Sequence, residues 1–520
     1  MDSFTVATLL VVCLAFYRMI NFAVKVLKTL LFSDYPSNAE ELPSLPFIGH
    51  AYLVIGSTDA ILSRILELGK MYPTSFPFAL GHYSFFLITC PEHMKEVILS
   101  PKTIEKSFFY KFGRSWGGNG LVTAPASLWK VHRKLLQPSF NSMALKSFVG
   151  TFATQSVILA QKMEQHLDGL EFEIYRYVSL CTLDAICATA MGINMKAQES
   201  GCCQYGEAVR KVLFGFAKRT VRPWLYPDSI FYRTQLGKDE RKHIEFIYNV
   251  GDNVIRQQKA KIVRRSDQRV SANNEQDSFD NAAAGPQTLV ENLLRQSIDN
   301  KTLTDKDTRD HVHTVIGAAS DTTAITLNYL MLMLASHQDI QDKVYQELCD
   351  IFGEHVSDDD SEEVHFTMEA LTRMTYMERV IKETMRLFPA VPVIGRKATD
   401  DFDLGQRTLP RETEFLLNIL GVHRSEKYWP DPLKFDPDRF LPERLARQQP
   451  YSYLPFLGGR RNCIGSKYAM MSMKTIVATV LRKYVLIKDK VIPIKDIRLA
   501  FDILLRSVDP VTLRIRRRVK

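Results

Sequence analysis

A long apolar segment between residues 304 and 336 restricts the fold of this chain more than any other feature. Its centre reads VIGAASDTTAITLNYLMLMLA, which is apolar on nearly every side of a helix. Thr304 and Asp307 have the spacing of a capping box, so a helix is predicted to begin there. Such a helix must be covered on all sides, which requires the centre of a large protein. Similar spacing predicts further helix starts at Ser336 and Thr375.

The other periodic segments predict a mainly α-helical chain with small β-sheets. Residues 140–262 read mostly as amphipathic helices, and no fixed-period repeat divides the chain. The polar segment 264–287 is low in aromatic residues and is predicted to be a flexible surface loop. Short β-prone runs lie near residues 83–89, 413–420 and 502–515.

The start of the chain has the charge pattern of a membrane anchor. Residues 4–17 are uncharged and mostly apolar, with Asp2 before them and Arg18 after them. A cleaved secretory signal would carry positive charge before its apolar run, so that class is disfavoured. Basic residues after the run keep the following chain in the cytosol. We predict an anchor at residues 1–32 and a proline-rich hinge at 33–49, with a buried core helix as the alternative to the anchor.

Charge and cysteine usage exclude several classes of protein. The chain has 67 lysines and arginines and 58 aspartates and glutamates, a net charge of +9. Five of the positive charges lie between Arg514 and Lys520, so the body is only mildly basic and no nucleic-acid partner is predicted. The eight cysteines form no C-x-x-C pair and no zinc spacing, which excludes a structural zinc protein.

Residues 456–465 contain the most informative local motif, F-x-x-G-x-R-x-C-x-G. A lone cysteine is usually a small buried hydrophobe, but this pattern resembles the haem-binding loop of the cytochrome P-450 haem-thiolate monooxygenases. The resemblance implies haem b as the cofactor and Cys463 as its thiolate and metal ligand. It also implies that Arg461 pairs with a haem propionate. A thiolate ligand favours O–O cleavage, and a helix that begins after Gly465 favours the thiolate.

An acid–base pair and a later arginine agree with this resemblance. Glu383 and Arg386 lie three residues apart on one predicted helix face. In the family, this pair forms a buried network with an arginine of a later segment, which matches Arg439 here. The resemblance therefore implies that these three residues are structural.

Three more residues match family positions that contact haem propionates. Trp129 and Arg133 form W-x-x-x-R, one helical turn apart, and Arg396 lies ten residues after Arg386. His132 is adjacent, and a partly exposed helix histidine is a better interpretation of it than an axial ligand.

The predicted central helix contains a further family pattern. Asp321 and Thr322 match an acid–alcohol pair that delivers protons during oxygen activation, although Ala319 stands where the pattern has glycine. An aspartate in so apolar a helix is costly unless it is paired or functional. The alternative for Thr322 is a hydrogen bond to the carbonyl four residues earlier. Many members of the family-four clan esterify haem through a glutamate at the position of Ala318, so no covalent haem link is expected here.

These motifs occur in the family's order, so the resemblance covers essentially the whole chain and is greatest to the family-four clan. It implies the cytochrome P-450 fold, mainly α with small β-sheets, with haem between the central helix and the cysteine loop. Residues 50–520 are predicted to form a single catalytic domain.

The resemblance also implies a reaction and its partners. One oxygen atom of O₂ would enter a lipophilic substrate such as a fatty acid, hydrocarbon, terpenoid, hormone or xenobiotic. The electrons would come from NADPH through NADPH–cytochrome P-450 reductase, with cytochrome b5 as a further candidate partner. The implied location is the endoplasmic reticulum membrane, with the catalytic domain on the cytosolic side.

Two alternatives remain open at this point. A haem-thiolate isomerase or dehydratase would rearrange a peroxide without a reductase, but such proteins commonly lack the pair matched by Asp321 and Thr322. A non-catalytic haem-binding or hydrophobe-binding membrane protein would be favoured by loss of Cys463 or of the Glu383 network, and both are present.

Overall fold

The structure is a computed structural model, and it describes residues 16–18, 42–45, 48–72, 74–81, 83–201, 204–271, 288–298, 302–353 and 365–518. The predicted anchor at 1–32 lies outside the described residues except for positions 16–18. Much of the predicted hinge also lies outside them.

Helices dominate the described chain, which confirms the predicted fold class. The first nine are α1 Thr58–Met71, α2 Pro91–Leu99, α3 Tyr110–Gly117, α4 Ala126–Leu136, α5 Ser142–Met163, α6 Ile174–Thr189, α7 Ala197–Ser200, α8 Gln204–Thr220 and α9 Asp228–Phe231. The others are α10 Gln235–Ser271, α11 Leu289–Ile298, α12 Asp305–Ser336, α13 Gln338–Phe352, α14 Met368–Arg373, α15 Thr375–Leu387, α16 Ile419–His423, α17 Pro442–Leu445 and α18 Ser466–Lys483.

The central helix, α12, lies in the largest hydrophobic cluster, as its composition predicts. Its capping box is present: the Thr304 hydroxyl accepts from the Asp307 N–H, and the Asp307 carboxylate accepts from the Thr304 N–H, both at 3.0 Å. The helix packs chiefly along α6. Nearly every residue from Val312 to Ala335 is buried.

The two other predicted caps are wrong. Ser336 ends the central helix, and the next helix has His337 at its N-cap. Thr375 is already helical, and the Glu347 carboxylate caps that helix by accepting from the N–H groups of Tyr376 and Met377 at 2.6 and 2.9 Å. A cap supplied by a different helix has no local spacing that a sequence pattern could identify.

The strands form four small sheets. They are β1 Phe76–Leu80, β2 Tyr83–Ile88, β3 Phe172–Glu173, β4 Val393–Lys397, β5 Phe402–Leu404, β6 Arg407–Leu409, β7 Glu414–Asn418, β8 Tyr484–Ile487, β9 Leu499–Asp502, β10 Leu504–Ser507 and β11 Thr512–Arg517. The largest has the order β1-β2-β7-β4, in which β2 and β7 are parallel and the other neighbours are antiparallel. β3, β11 and β8 form a second sheet, and β5–β6 and β9–β10 are hairpins.

Two further segments bear on the predicted organisation. Residues 264–271 continue α10, so the loop predicted for 264–287 is wrong over that part, and 272–287 lie outside the described residues. Among the described helices, Ser142–His166 is long and apolar enough to cross a membrane. Half of its most apolar window is buried, and it packs against α6 and α18, so it behaves as a core helix.

Candidate active site

The loop before α18 presents the predicted cysteine ligand. The N–H of Cys463 donates to the Phe456 carbonyl at 3.0 Å, which closes the loop on itself. Gly459 has φ +67°, and a Cβ there would lie 2.5 Å from the Ile98 carbonyl oxygen, so the turn requires glycine. Gly465 is the N-cap of α18, as predicted.

The Cys463 side chain is accessible, although many protein atoms surround it. This burial raises the pKa of the Cys463 thiol, while a backbone hydrogen bond from Gly465 and the Arg133 guanidinium act to lower it. A positive metal ion would favour the thiolate further. Cys463 is therefore suited to bind a metal through its sulfur.

The central helix is open on one face near its middle. Ala318, Ala319 and Thr322 are half-buried, whereas Gly317 and Asp321 are buried. Ala318, Ala319 and Thr322 share one helix face, because residues three or four apart are neighbours on a helix. Ala319 and Ile464, which follows Cys463, pack against the same hydrophobic cluster. The cysteine loop and the open helix face therefore both pack against the main hydrophobic core.

A group of cations is positioned by β4 and the cysteine loop. We call Lys106, Arg396 and Arg461 the cationic cluster. Burial, followed by the charges of Arg396 and Arg461, holds the pKa of Lys106 well below its usual value. Glu105 is the one acid among the charges that act on it, and its carboxylate already accepts from the N–H groups of Lys106 and Ala126 at 3.0 and 2.8 Å.

Polar atoms of the cationic cluster lack partners among the described residues. Arg461 donates from Nη2 to the Ala124 carbonyl at 2.6 Å, but its buried Nε and Nη1 have none. Arg396 is buried, and its Nη1 contacts only the adjacent Gly395 carbonyl, at 3.3 Å. Two arginines, beside a lysine whose pKa is held down, face one engaged carboxylate, so added negative charge is favoured at this place. Haem b carries two propionates, so these residues fit that cofactor.

The W-x-x-x-R residues lie on α4 as predicted, but their side chains have different partners. The Trp129 ring lies under Arg461, with the guanidinium carbon 4.9 Å from the ring centroid. Arg133 instead donates to the backbone and side-chain oxygens of Asn462, at 2.8 and 3.0 Å. His132 is buried against His311, with ring centroids 4.7 Å apart, so the expectation of partial exposure is wrong.

The Glu383 network has two fully buried members, Glu383 and Arg386, and one that is largely buried, Arg439. Arg386 donates to both Glu383 carboxylate oxygens at 2.7 and 2.8 Å, and both side chains are 0% exposed. Arg439 Nε lies 3.3 Å from Glu383 Oε1, which completes the predicted triad. Arg386 also donates to the carbonyl of His423 at 2.8 Å.

His423 connects this network to the cysteine loop, a role that the sequence analysis missed. Its Nε2 accepts from the Leu454 N–H at 2.7 Å, two residues before Phe456. Burial, and then the nearby Arg386 charge, lowers the pKa of His423 to about 3. The ring is therefore neutral and can accept this bond. In the sequence, His423 is marked only by the adjacent Arg424, and no spacing relates either residue to its partners in the fold.

The acid–alcohol pair has a specific set of partners. Thr322 Oγ1 donates to the Ala318 carbonyl at 2.7 Å, the bond that a mid-helix threonine makes by default. Asp321 accepts from the Tyr175 hydroxyl at 2.5 Å and from Arg506 Nη2 at 2.6 Å. Tyr175 and Arg506 were not predicted, because they come from α6 and β10 and are distant in sequence.

Comparison with known proteins agrees with this geometry. The family model for cytochrome P450 matches residues 40–511. The chain is 34% identical to cytochrome P450 4c21 of Blattella germanica over 85% of this chain and 86% of that one. It is 31% identical to cytochrome P450 4c3 of Drosophila melanogaster (92% and 89% covered) and to cytochrome P450 4V2 of Rattus norvegicus (91% and 88%). The chain belongs to the cytochrome P450 family of haem-thiolate monooxygenases, with haem b as cofactor.

Proposed function

We propose that this protein inserts one atom of O₂ into a lipophilic substrate, with electrons from NADPH supplied through NADPH–cytochrome P-450 reductase. The observation that carries the proposal is the accessible Cys463 in the same loop as Arg461, which belongs to the cationic cluster and has unpartnered buried nitrogens among the described residues. The presence of both Asp321 and Thr322 favours this reaction over a peroxide isomerase. Cytochrome b5 is a second candidate electron donor.

Five residues are assigned to haem binding. Cys463 binds the haem iron, and Trp129, Arg133, Arg396 and Arg461 are assigned to the haem propionates. When bound, the haem supplies the oxygen-activation chemistry. Arg133 would act partly through Asn462, which it holds beside the ligand at 2.8 and 3.0 Å.

Two residues of the central helix are assigned to proton delivery. Thr322 keeps its hydroxyl at the open helix face by donating to Ala318, and its oxygen can still accept a bond. Asp321 is the acid of the pair, and it is buried one residue away.

The substrate assignment rests on aromatic side chains of residues 108–116, one of which lies against the central helix. Phe108, Phe109 and Phe112 pack in one aromatic group, with the Phe108 and Phe109 ring centroids 4.2 Å apart. The Trp116 ring covers Gly317 of the central helix so closely that a Cβ there would lie 2.4 Å from it. Aromatic and apolar walls favour a lipophilic molecule.

We assign the protein to the endoplasmic reticulum membrane, with a single anchor at residues 1–32, a hinge at 33–49 and one catalytic domain at 50–520. Basic side chains near the cysteine loop would attract an acidic reductase. Of five basic side chains on α4, in the cysteine loop and at the start of α18, four are exposed and Arg133 is half-buried against Asn462. The exposed four are Lys130, Lys134, Arg460 and Lys467.

Replacing the ligand tests the proposal most directly. We expect Cys463→Ser to abolish the red-shifted Soret band of the reduced carbon monoxide complex, because serine provides no thiolate. Cys349→Ser is the matched control, since this half-buried cysteine lies at the end of α13 and should leave the band unchanged. A wild-type protein without that band would contradict the assignment. Product formation from a peroxide without reductase would favour the isomerase.

A further inference from the structure

A cavity of about 510 Å³ lies between four helices and the start of the cysteine loop. Residues of α5, α14, α15 and α18 form most of its wall, and Pro455 and Phe456 complete it. The central helix is described throughout its length and contributes no residue to this wall. The cavity opens to solvent, because Ser142, Thr372 and Lys467 on its wall are exposed. Its volume is within the range of cavities that hold small organic ligands.

The buried part of the cavity wall is apolar and rich in methionine. It consists of four methionines and two leucines, which are Met368, Met385, Met470, Met471, Leu145 and Leu371. Met385 and Met471 are 4% and 8% exposed, and Met368 and Met470 are half-buried. Unbranched thioether side chains adjust to irregular shapes. This wall therefore suits a flexible apolar chain.

Lysines outnumber acids among the side chains that line the cavity. The Glu378 carboxylate lies 2.7 Å from Lys382 Nζ and 2.8 Å from Lys474 Nζ, one at each oxygen. Burial acts to raise the pKa of Glu378, but the hydrogen bonds from these lysines outweigh it and the pKa is lowered. Lys467 is exposed and has no ion pair among the described residues. Three lysines against one ionised carboxylate favour an added anion.

The cavity shares one residue with the segment that holds the cysteine ligand. Phe456 is half-buried on the cavity wall, and its carbonyl accepts from the Cys463 N–H at 3.0 Å. Ser466, the first residue of α18, also lines the cavity. A molecule bound there would contact both ends of the segment that positions the Cys463 sulfur.

We propose that this cavity is a second ligand site, which binds a lipophilic anion with one flexible apolar chain and one carboxylate. The chain lies against the methionines, and the carboxylate pairs with Lys467. Charge complementarity selects an anion over a neutral molecule of the same length. The site uses none of the residues assigned to haem binding or proton delivery, so it is separate from the proposed reaction.

Photolabelling of the haem-loaded protein tests the site without reductase or NADPH. The probe is dodecanoate with a diazirine in its chain, and labelled peptides are mapped by mass spectrometry. We expect label on residues 368–372 and 466–474, and an excess of unlabelled dodecanoate should remove it. Dodecan-1-ol should compete roughly fivefold more weakly, the upper range for an exposed ion pair.

Two variants separate the charge from the cavity itself. Lys467→Gln should abolish the preference for the acid over the alcohol. Lys343→Gln is the matched control, because Lys343 is an exposed lysine of α13 outside the cavity wall. Thr372→Trp should remove most of the label at unchanged haem content, because an indole at this exposed position obstructs the cavity without touching the cysteine loop.

The contact with Phe456 is tested by the haem reduction potential. Dodecanoate should make the potential more negative in wild type than in Thr372→Trp, because the added charge lies near the cysteine loop. Binding in a substrate site would shift both proteins equally. Label confined to residues 108–116 and 316–322 would overturn the proposal, since the probe would then bind only as a substrate. Cavity label that Thr372→Trp leaves unchanged, or equal competition by acid and alcohol, would also overturn it.

Discussion

Two buried carboxylates, Glu383 and Asp321, are each paired with arginine, yet their surroundings differ. Glu383 accepts two bonds from Arg386, a third from the Asp436 N–H at 3.0 Å and an ion pair from Arg439. Asp321 has one arginine and one phenol, and that arginine is carried on a small hairpin. The two carboxylates are similarly buried, so they differ in how many partners they have and in which elements supply those partners.

This difference teaches how the same ion pair can serve two purposes. Arg386 lies one helical turn from Glu383 and is also held by the His423 carbonyl, so neither side chain can move alone. Arg506 reaches Asp321 from 185 residues away, and the Nε atom of its guanidinium has no partner among the described residues. A network with many fixed partners stabilises a fold, while the position of Asp321 depends on two donors that come from distant elements.

Glu383→Gln breaks the first network and should have the largest effect. Removing one partner of a buried pair leaves an uncompensated arginine and costs about 3–5 kcal/mol. We expect loss of haem incorporation, measured by the ratio of Soret to protein absorbance. Glu378→Gln on the same helix is the control, because Glu378 is part-exposed, bonded to Lys382 and Lys474, and should change stability far less. Full haem in Glu383→Gln with slow turnover would contradict a structural role.

Glu240 sharpens the comparison as a buried carboxylate that has no salt bridge among the described residues. It is 3% exposed, and its nearest donor is the Ser115 hydroxyl at 3.3 Å. Burial raises the pKa of Glu240 from 4.5 to about 7. The folded state therefore binds this proton more tightly than the unfolded state, so the contribution of Glu240 to stability is fully present below pH 4.5 and is lost as pH rises through 7.

The loss through this window is at most about 3 kcal/mol, at 1.36 kcal/mol for each pKa unit. Glu240→Gln should remove this fall and leave the other pH-dependent contributions in place. Urea unfolding of both proteins between pH 5 and pH 8 measures the difference. Parallel pH curves for the two proteins would show that Glu240 does not titrate in this range.

Thr322→Ala should give the smallest effect on the fold, because it removes one neutral hydrogen bond of about 1 kcal/mol. Haem binding should be retained, while the yield of product per NADPH falls and hydrogen peroxide rises. Water can replace the hydroxyl in an open groove, so the change should be at the low end of roughly 10²–10⁴-fold. Thr326→Ala is the control, since it makes the same back-bond, to the Thr322 carbonyl at 3.0 Å, but is buried. Unchanged coupling in Thr322→Ala would leave back-bonding as its whole role.

The confirmed sequence predictions depend on short spacings. The Glu383–Arg386 pair follows from a separation of three residues on a helix, and the cap at Thr304 from the same separation. The motif around Cys463 encodes a turn and a helix start within ten residues. Three of the wrong predictions, at Ser336, Thr375 and 264–271, concern helix ends, where the outcome depends on neighbouring helices. The fourth, the partial exposure of His132, fails because His311 of another helix packs against that ring.

The sequence by itself determined the family, the cysteine loop, the central helix and the fold class, because each is encoded in local spacing and periodic burial. Only the tertiary structure decided that Asp321 is held by Tyr175 and Arg506, that Arg133 binds Asn462, and that His423 supports the loop. These contacts join residues 31 to 329 positions apart. The partner of a buried polar group is whichever donor the packing brings within about 3 Å. The distance between two residues along the sequence does not indicate which donor that will be. The partners of Asp321 could therefore be found only in the folded molecule.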